Sequence, residues 1–173
     1  MADVDVVVGL AFGTSTHPES VNWHLAETAL ARGHSCDAPV ILEGTLEQAR
    51  TTNSPPALVI DGTLTNSAGV GMGADGVLKE AKEFMDERGM RTALLIAQAF
   101  HIGRVEAQAQ SRGMETVLPF GLPRAFDPES EQWWTTKQSL WIPRELIGLG
   151  FIKLPAPIRN GLGRILMTSS EPA

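Results

Sequence analysis

The stretch that decides the fold runs from Thr92 to Arg104, TALLIAQAFHIGR. Ala93-Leu94-Leu95-Ile96-Ala97 is apolar without alternation, the pattern of a strand covered on both faces. Such strands belong to parallel sheets, in which each strand hands over to a helix at its carboxyl end. Here the handover carries His101 and Arg104. In open α/β sheets that end of the strand is where ligands bind, and two basic side chains there suit an anionic or polar small molecule.

The same rhythm repeats outward from this stretch. Val4 to Phe12 is β-rich and ends at Gly13. Ser20 then caps a helix to Ala31, with Val21, Leu25, Ala26, Ala29 and Leu30 on one face and Arg32-Gly33 as its stop. Pro39 to Glu43 reads as a second strand broken by Gly44, Leu46 to Thr51 as a brief helix, and Ala57 to Asp61 as a third strand. After the glycine-rich loop Thr63 to Gly76 comes the clearest helix, Val77 to Arg88. Val77, Leu78, Ala81, Phe84 and Met85 line its apolar face, and Gly89 caps it. Gly103 to Arg112 is a small-residue helix, and Glu115 to Pro119 a fifth strand.

Alternation of this kind predicts a Rossmann-like three-layer α/β sandwich with a mainly parallel five-stranded sheet, as a single domain over residues 1–154. Trp133, Trp134, Leu140, Trp141, Leu146, Ile147, Leu149 and Phe151 form an apolar C-terminal helical extension interrupted by Pro143. It is expected to pack on the sheet edge or over the pocket mouth, with 155–173 as a peripheral tail.

The chain has 173 residues, 43% of them hydrophobic, and a net charge of −6. That length supports a core without disulfides or structural metal. The acidic balance argues against nucleic acid, which demands a basic surface. A single cysteine, Cys36, makes no internal disulfide, which suits a reducing cytoplasm. Met1 to Asp5 lacks the basic start of a secretory leader. No run approaches the roughly 20 apolar residues that span a bilayer, so no membrane partner is expected.

The loops that follow the strands should gather on one rim, carrying Thr14, Ser15, His17, Glu43, Asp61, Asn66, Gln98, His101 and Arg104. A helix start already favours an anion through its backbone N–H groups and dipole. Arg104 adds a forked donor for carboxylate or phosphate. His101 binds, or moves a proton near neutral pH as a general acid or base. Gly13-Thr14-Ser15-Thr16 has the small residues and hydroxyls of an anion cradle. It lacks the Gly-Lys-Ser/Thr of a nucleoside-triphosphate loop and is equally readable as an ordinary turn.

Gly71-Met72-Gly73-Ala74-Asp75-Gly76 matches G-x-G-x-x-G, but in the third crossover rather than the first tight turn, so it reads better as part of a lid over Gly69 to Gly76. Asp61, closing a strand, either anchors a polar ligand group or caps its own turn. Asn66 and Gln98 complete the expected ligand set. His17, His24, His34 and His101 are dispersed, so no metal site is expected, and Ser15 is not in a nucleophile elbow.

Leu94 to Arg104 resembles the strand and "T-S-x-[FY]-H-x-x-R-[AS]" signature of the YdcF/SanA/ElyC-like family, bacterial domains of largely unassigned role. Ser111 to Val117 fits that family's next helix end and strand. Ser139 to Leu149 resembles its C-terminal "L-x-x-x-x-E-L-x-G-L" helix, which places Glu145 as structural. The family's "N-T-x-E-N" stretch has no Glu-Asn pair here, and its "S-G-G" is reduced to Glu43-Gly44-Thr45. The resemblance implies a Rossmann-like fold and a divergent soluble member. Through one member's association with S-adenosylmethionine, it implies that compound as a candidate cofactor.

The expectation is therefore a protein that binds a small anionic or nucleotide-like ligand, with His101 as the catalytic residue of a group transfer or hydrolysis. Gly13, Thr14, Ser15, Asp61, Asn66, Gln98 and Arg104 would hold the ligand. The alternative is a binding or regulatory module without chemistry. A homodimer through the tryptophan-bearing segment is a further expectation.

Overall fold

The structure, a computed structural model, describes residues 3–62, 73–143 and 146. Strands β1 (Val6–Gly9), β2 (Val40–Glu43), β3 (Leu58–Ile60), β4 (Thr92–Ile96) and β5 (Glu115–Val117) form one sheet. Its order is β3-β2-β1-β4-β5, and every pairing is parallel. Helices α1 (Val21–Cys36), α2 (Gly44–Ala49), α3 (Gly73–Glu87) and α4 (Ile102–Ser111) provide the crossovers. The predicted five-stranded Rossmann-like α/β sandwich is the observed fold.

Alternation along the central strands explains the three layers. Val7, Leu42, Leu94 and Ile96 face α1 with Leu25, Ala26 and Ala29. Val6, Val8, Ile41, Ala93 and Leu95 face α3 and α4 with Leu78, Ala81, Met85, Val105 and Ala109. A strand covered on both faces has no polar side, so the sequence shows an unbroken apolar run.

The first three strands step outward in one direction, and α3 carries the chain back across β1 to β4 on the other side. The strand order therefore reverses between β1 and β4. A crevice opens at such a reversal beyond the carboxyl ends of the strands, and it is the preferred ligand position in open α/β sheets.

Two local expectations need correction. Helix α1 does not stop at Gly33 but continues to Cys36, capped by Asp37 in the left-handed region at φ 52°, whose N–H reaches Gly33 O and His34 O. Gly33 is buried because the helix meets β2 there: a Cβ would lie 2.2 Å from Val40 Cγ2 and 3.0 Å from Ala38 O. The second half of the expected lid, Gly73 to Gly76, is the first turn of α3 rather than a loop. Asp75 in that turn pairs with Arg112 at 2.7 Å. The third strand is only partly covered at this edge of the sheet, with Val59 44% exposed. Residues 69–72, Asn66, Glu145, Ile147, Leu149, Phe151 and the tail 155–173 lie outside the described residues.

Candidate functional site at the β1–β4 switch point

Beyond β1 the chain leaves the sheet at Leu10, whose N–H still donates to Ile96 O at 2.9 Å. Beyond β4 it turns at Gln98, whose carbonyl accepts from His101 N at 2.8 Å and Ile102 N at 3.0 Å, launching α4. This places His101 at the N-cap of α4 beside Phe12, their ring centroids 6.4 Å apart.

His101 is 4% exposed. Trp141, from the helical stretch 138–143, packs edge-on against its ring at 5.3 Å and 86°. Trp141 also packs against Phe12 at 4.6 Å and donates from Nε1 to Phe100 O at 3.4 Å. The described part of the C-terminal extension thus reaches the β1–β4 rim through Trp141. Its ring is held inside the fold, whereas Leu140, Ile142 and Leu146 are exposed.

Arg104 lies one turn along α4. Its Nη2 is 3.2 Å from His101 Nδ1, and its guanidinium carbon is 5.9 Å from the centre of the Trp141 ring. An arginine can only donate. The contact therefore fixes Nδ1 as the acceptor and places the ring proton on Nε2. The positive end of the α4 dipole points at the same place.

Gln98 is fully buried, and its amide serves the backbone. Nε2 donates to Arg124 O and Ala125 O, each at 3.3 Å, and Oε1 accepts from Phe100 N at 2.7 Å. It ties the β4–α4 turn to the segment after β5, which is a positioning role rather than the ligand contact expected.

The Gly13-Thr14-Ser15 loop is similarly committed. Asn22, fully buried, accepts from Phe12 N at 2.8 Å and donates to Ser15 O at 2.9 Å and Gly13 O at 3.4 Å. Thr14 N donates to Ser130 Oγ at 3.4 Å, and Thr14 Oγ1 accepts from Glu131 N at 3.3 Å. Gly13 has φ 78°, and a Cβ there would sit 2.5 Å from Ser130 Oγ. The glycine is needed both for its left-handed backbone and for the close approach of the segment around Ser130. Ser15 is 9% exposed, with a hydroxyl that has no hydrogen-bond partner among the described residues.

On the other side of β1, Glu43 ends β2 and turns its carboxylate back to accept from Ala11 N at 2.9 Å. Burial drives its pKa up, and the Ala11 N–H opposes this only in part. A carboxyl group held toward its neutral form at the rim of an α/β sheet is a candidate proton carrier. Asp61 is exposed after β3, and its Cα lies 3.6 Å from where a Cβ on Gly44 would be.

The structure thus brings His101, Arg104, Phe12 and Trp141 together, with Gly13 to Ser15 on the adjoining loop and Glu43 beyond β1. Asn22 is a site-building residue that the sequence reading did not assign, and Trp141 was read there only as part of the apolar C-terminal extension. An asparagine in the first turn after a glycine-bearing loop was the available signal for Asn22.

A separate concavity lies away from this rim. It encloses about 620 Å³ beside the C-terminal end of α1, lined by Leu30, His34, Asp37, Val40 and Ala57 among others. Among the described residues no three His, Cys, Asp or Glu are grouped to hold a metal ion, and no helix is long and apolar enough to cross a membrane. No family model and no curated protein matches the chain.

Proposed function

We propose that the protein binds a small anionic or nucleotide-like ligand at the carboxyl edge of β1 and β4, with Arg104 and the Nε2–H of His101 as donors. The carrying observation is the 3.2 Å contact between Arg104 Nη2 and His101 Nδ1 at the point where the strand order reverses. It supports the reading because one cation both orients the imidazole and adds charge at a helix N-terminus. The ring proton on Nε2 is the one that would hydrogen-bond an anion or pass to a leaving group in a transfer or hydrolysis. S-adenosylmethionine is one candidate, through the resemblance of Leu94 to Arg104 to the YdcF-like signature.

A second reading, a binding or regulatory module without chemistry, draws on the burial of His101 beneath Trp141. Thermal-shift screening with nucleotides, S-adenosylmethionine, sugar phosphates and carboxylates tests both. A ligand at 100 times its Kd stabilises the protein by about 2.7 kcal/mol. The expected result is a hit whose shift is lost in Arg104→Gln and His101→Ala. A hit that shifts these variants as much as the parent defeats the proposed site. A bound hit that is never turned over selects the module.

A further inference from the structure

His17 lies on the β1–α1 loop, opposite the segment that follows β5. Its Nδ1 is 2.9 Å from Pro18 O. A carbonyl only accepts, so Nδ1 carries a proton. The other nitrogen, Nε2, faces two carboxylates, Asp127 Oδ2 at 3.3 Å and Glu129 Oε2 at 3.5 Å. Glu19 lines the same cleft from the histidine's own loop, with the uncharged Ser20 and Val21 of the α1 start and Phe126 and Pro128 opposite.

Asp127 is 5% exposed. Its Oδ1 accepts from Glu129 N at 2.9 Å, but its Oδ2 has no hydrogen-bond donor among the described residues. The only compensation for that buried oxygen among the described residues is the ion pair with His17, and this exists only when the ring is protonated. A neutral ring with its proton on Nδ1 would turn a lone pair toward both carboxylates.

The same segment grips the neighbouring loop residue. Ser130 Oγ accepts from Thr14 N and, at 2.7 Å, from Thr135 Oγ1, and Glu131 N donates to Thr14 Oγ1. Residues 127–135 thus form a strap attached to the β1–α1 loop at Thr14 and at His17. We propose that His17 is a proton-operated latch, whose imidazolium ties this strap to the loop and whose neutral form releases it.

The direction of the His17 pKa agrees. The bond to Pro18 O raises it most, burial opposes, and the charges of Asp127 and Glu129 raise it further. A raised folded-state value means that the contribution is complete below the ordinary histidine value of 6.5. It is then lost as pH rises through the folded-state value. The latch stands on this contact and does not depend on whether the rim binds an anion.

The test is a ¹⁵N NMR titration over about pH 5 to 9, the range that brackets an imidazole, on the full chain, His17→Gln, Asp127→Asn and Glu129→Gln. In the parent, the His17 ring should titrate above 6.5, and the Thr14, Glu129 and Ser130 amides should shift with the same midpoint. Exchange of the Ser130 and Thr135 amides, normalised to intrinsic rates, should quicken severalfold as the ring loses its proton. His17→Gln should abolish both pH dependences, and the two carboxylate variants should lower the His17 midpoint. Because Glu129 is exposed, Glu129→Gln remains a valid arm if Asp127→Asn fails to fold. A ring titrating at or below 6.5, amides that titrate alike in His17→Gln, or exchange indifferent to ring charge would each overturn the latch.

Discussion

Both ends of the Asn22 amide serve backbone that has left regular structure. Oδ1 takes the Phe12 N–H and Nδ2 serves Ser15 O and Gly13 O, all at a side chain with no exposure. Asn22→Ala would leave a buried donor and a buried acceptor unsatisfied, at a cost of about 2–4 kcal/mol. Chemical denaturation measures this directly, and a loss near zero would show that water or a shifted loop replaces the amide. Trp141→Ala removes the ring packed on His101 and Phe12. Its expected cost is about 3–5 kcal/mol, with His101 newly open to solvent, read as accelerated acylation of the imidazole. At this scale His101 and Arg104 were legible because an apolar strand buried on both faces can run into two basic residues only where it leaves the core, at the rim of the sheet. Gln98 was legible only as a polar strand end. Nothing in its identity says whether an amide faces a ligand or, as here, the carbonyls of Arg124 and Ala125. Asn22 and Trp141 act through partners many residues away, which a single sequence does not pair.

Two helical glycines, Gly33 in α1 and Gly103 in α4, look alike in sequence and differ in what surrounds them. At Gly33 a Cβ would collide with Val40 Cγ2 at 2.2 Å, whereas at Gly103 nothing among the described residues lies within 4 Å. Gly33→Ala should destabilise by about 1–2 kcal/mol, since overpacking at the helix–strand contact outweighs the gain in helix propensity. Gly103→Ala should stabilise by up to about 1 kcal/mol. Paired urea denaturations check the sign of each, and equal effects would refute the packing argument. The same contrast explains which elements could be read. Strands β1, β2 and β4 are apolar because helices cover both of their faces, so pattern and burial coincide. The end of α1 was misplaced because glycine marks close approach as well as termination. The start of α3 was placed late because the Gly73-Ala74-Asp75-Gly76 turn has loop-like composition. Its Asp75–Arg112 pair, which links it to the far end of α4, is a tertiary contact.

At the scale of the whole molecule, four titrating groups among the described residues pull stability in opposite directions with pH. The carboxylate of Asp5 accepts from Thr92 N and Arg91 N at 2.8 Å each, which lowers its pKa below 3.8. Burial pushes Glu27 up, but donation from Thr52 and Thr51 outweighs it, and the net pKa falls below 4.5. Lowered acids contribute stability that is present above their unfolded values and lost as pH falls through the folded ones. Glu43 and His17 run the other way. Both are raised, from 4.5 and 6.5 respectively, so their contributions are complete below those values and lost as pH rises through the folded ones. Acid therefore weakens the protein through Asp5 and Glu27, and base weakens it through Glu43 and His17. For these four groups every contribution is complete only near the unfolded carboxylate value of about 4.5, so together they favour mildly acidic solution over neutrality. Glu43→Gln keeps an oxygen for Ala11 N and removes the titration, so it should raise stability at neutral pH and move the optimum upward. Urea midpoints measured from mildly acidic to neutral pH for the parent and Glu43→Gln decide the matter. A parent optimum above neutrality, or a variant curve that merely parallels the parent's, would mean that the buried carboxyl beside β1 keeps an ordinary pKa. It would then have no special standing as a proton carrier at the rim.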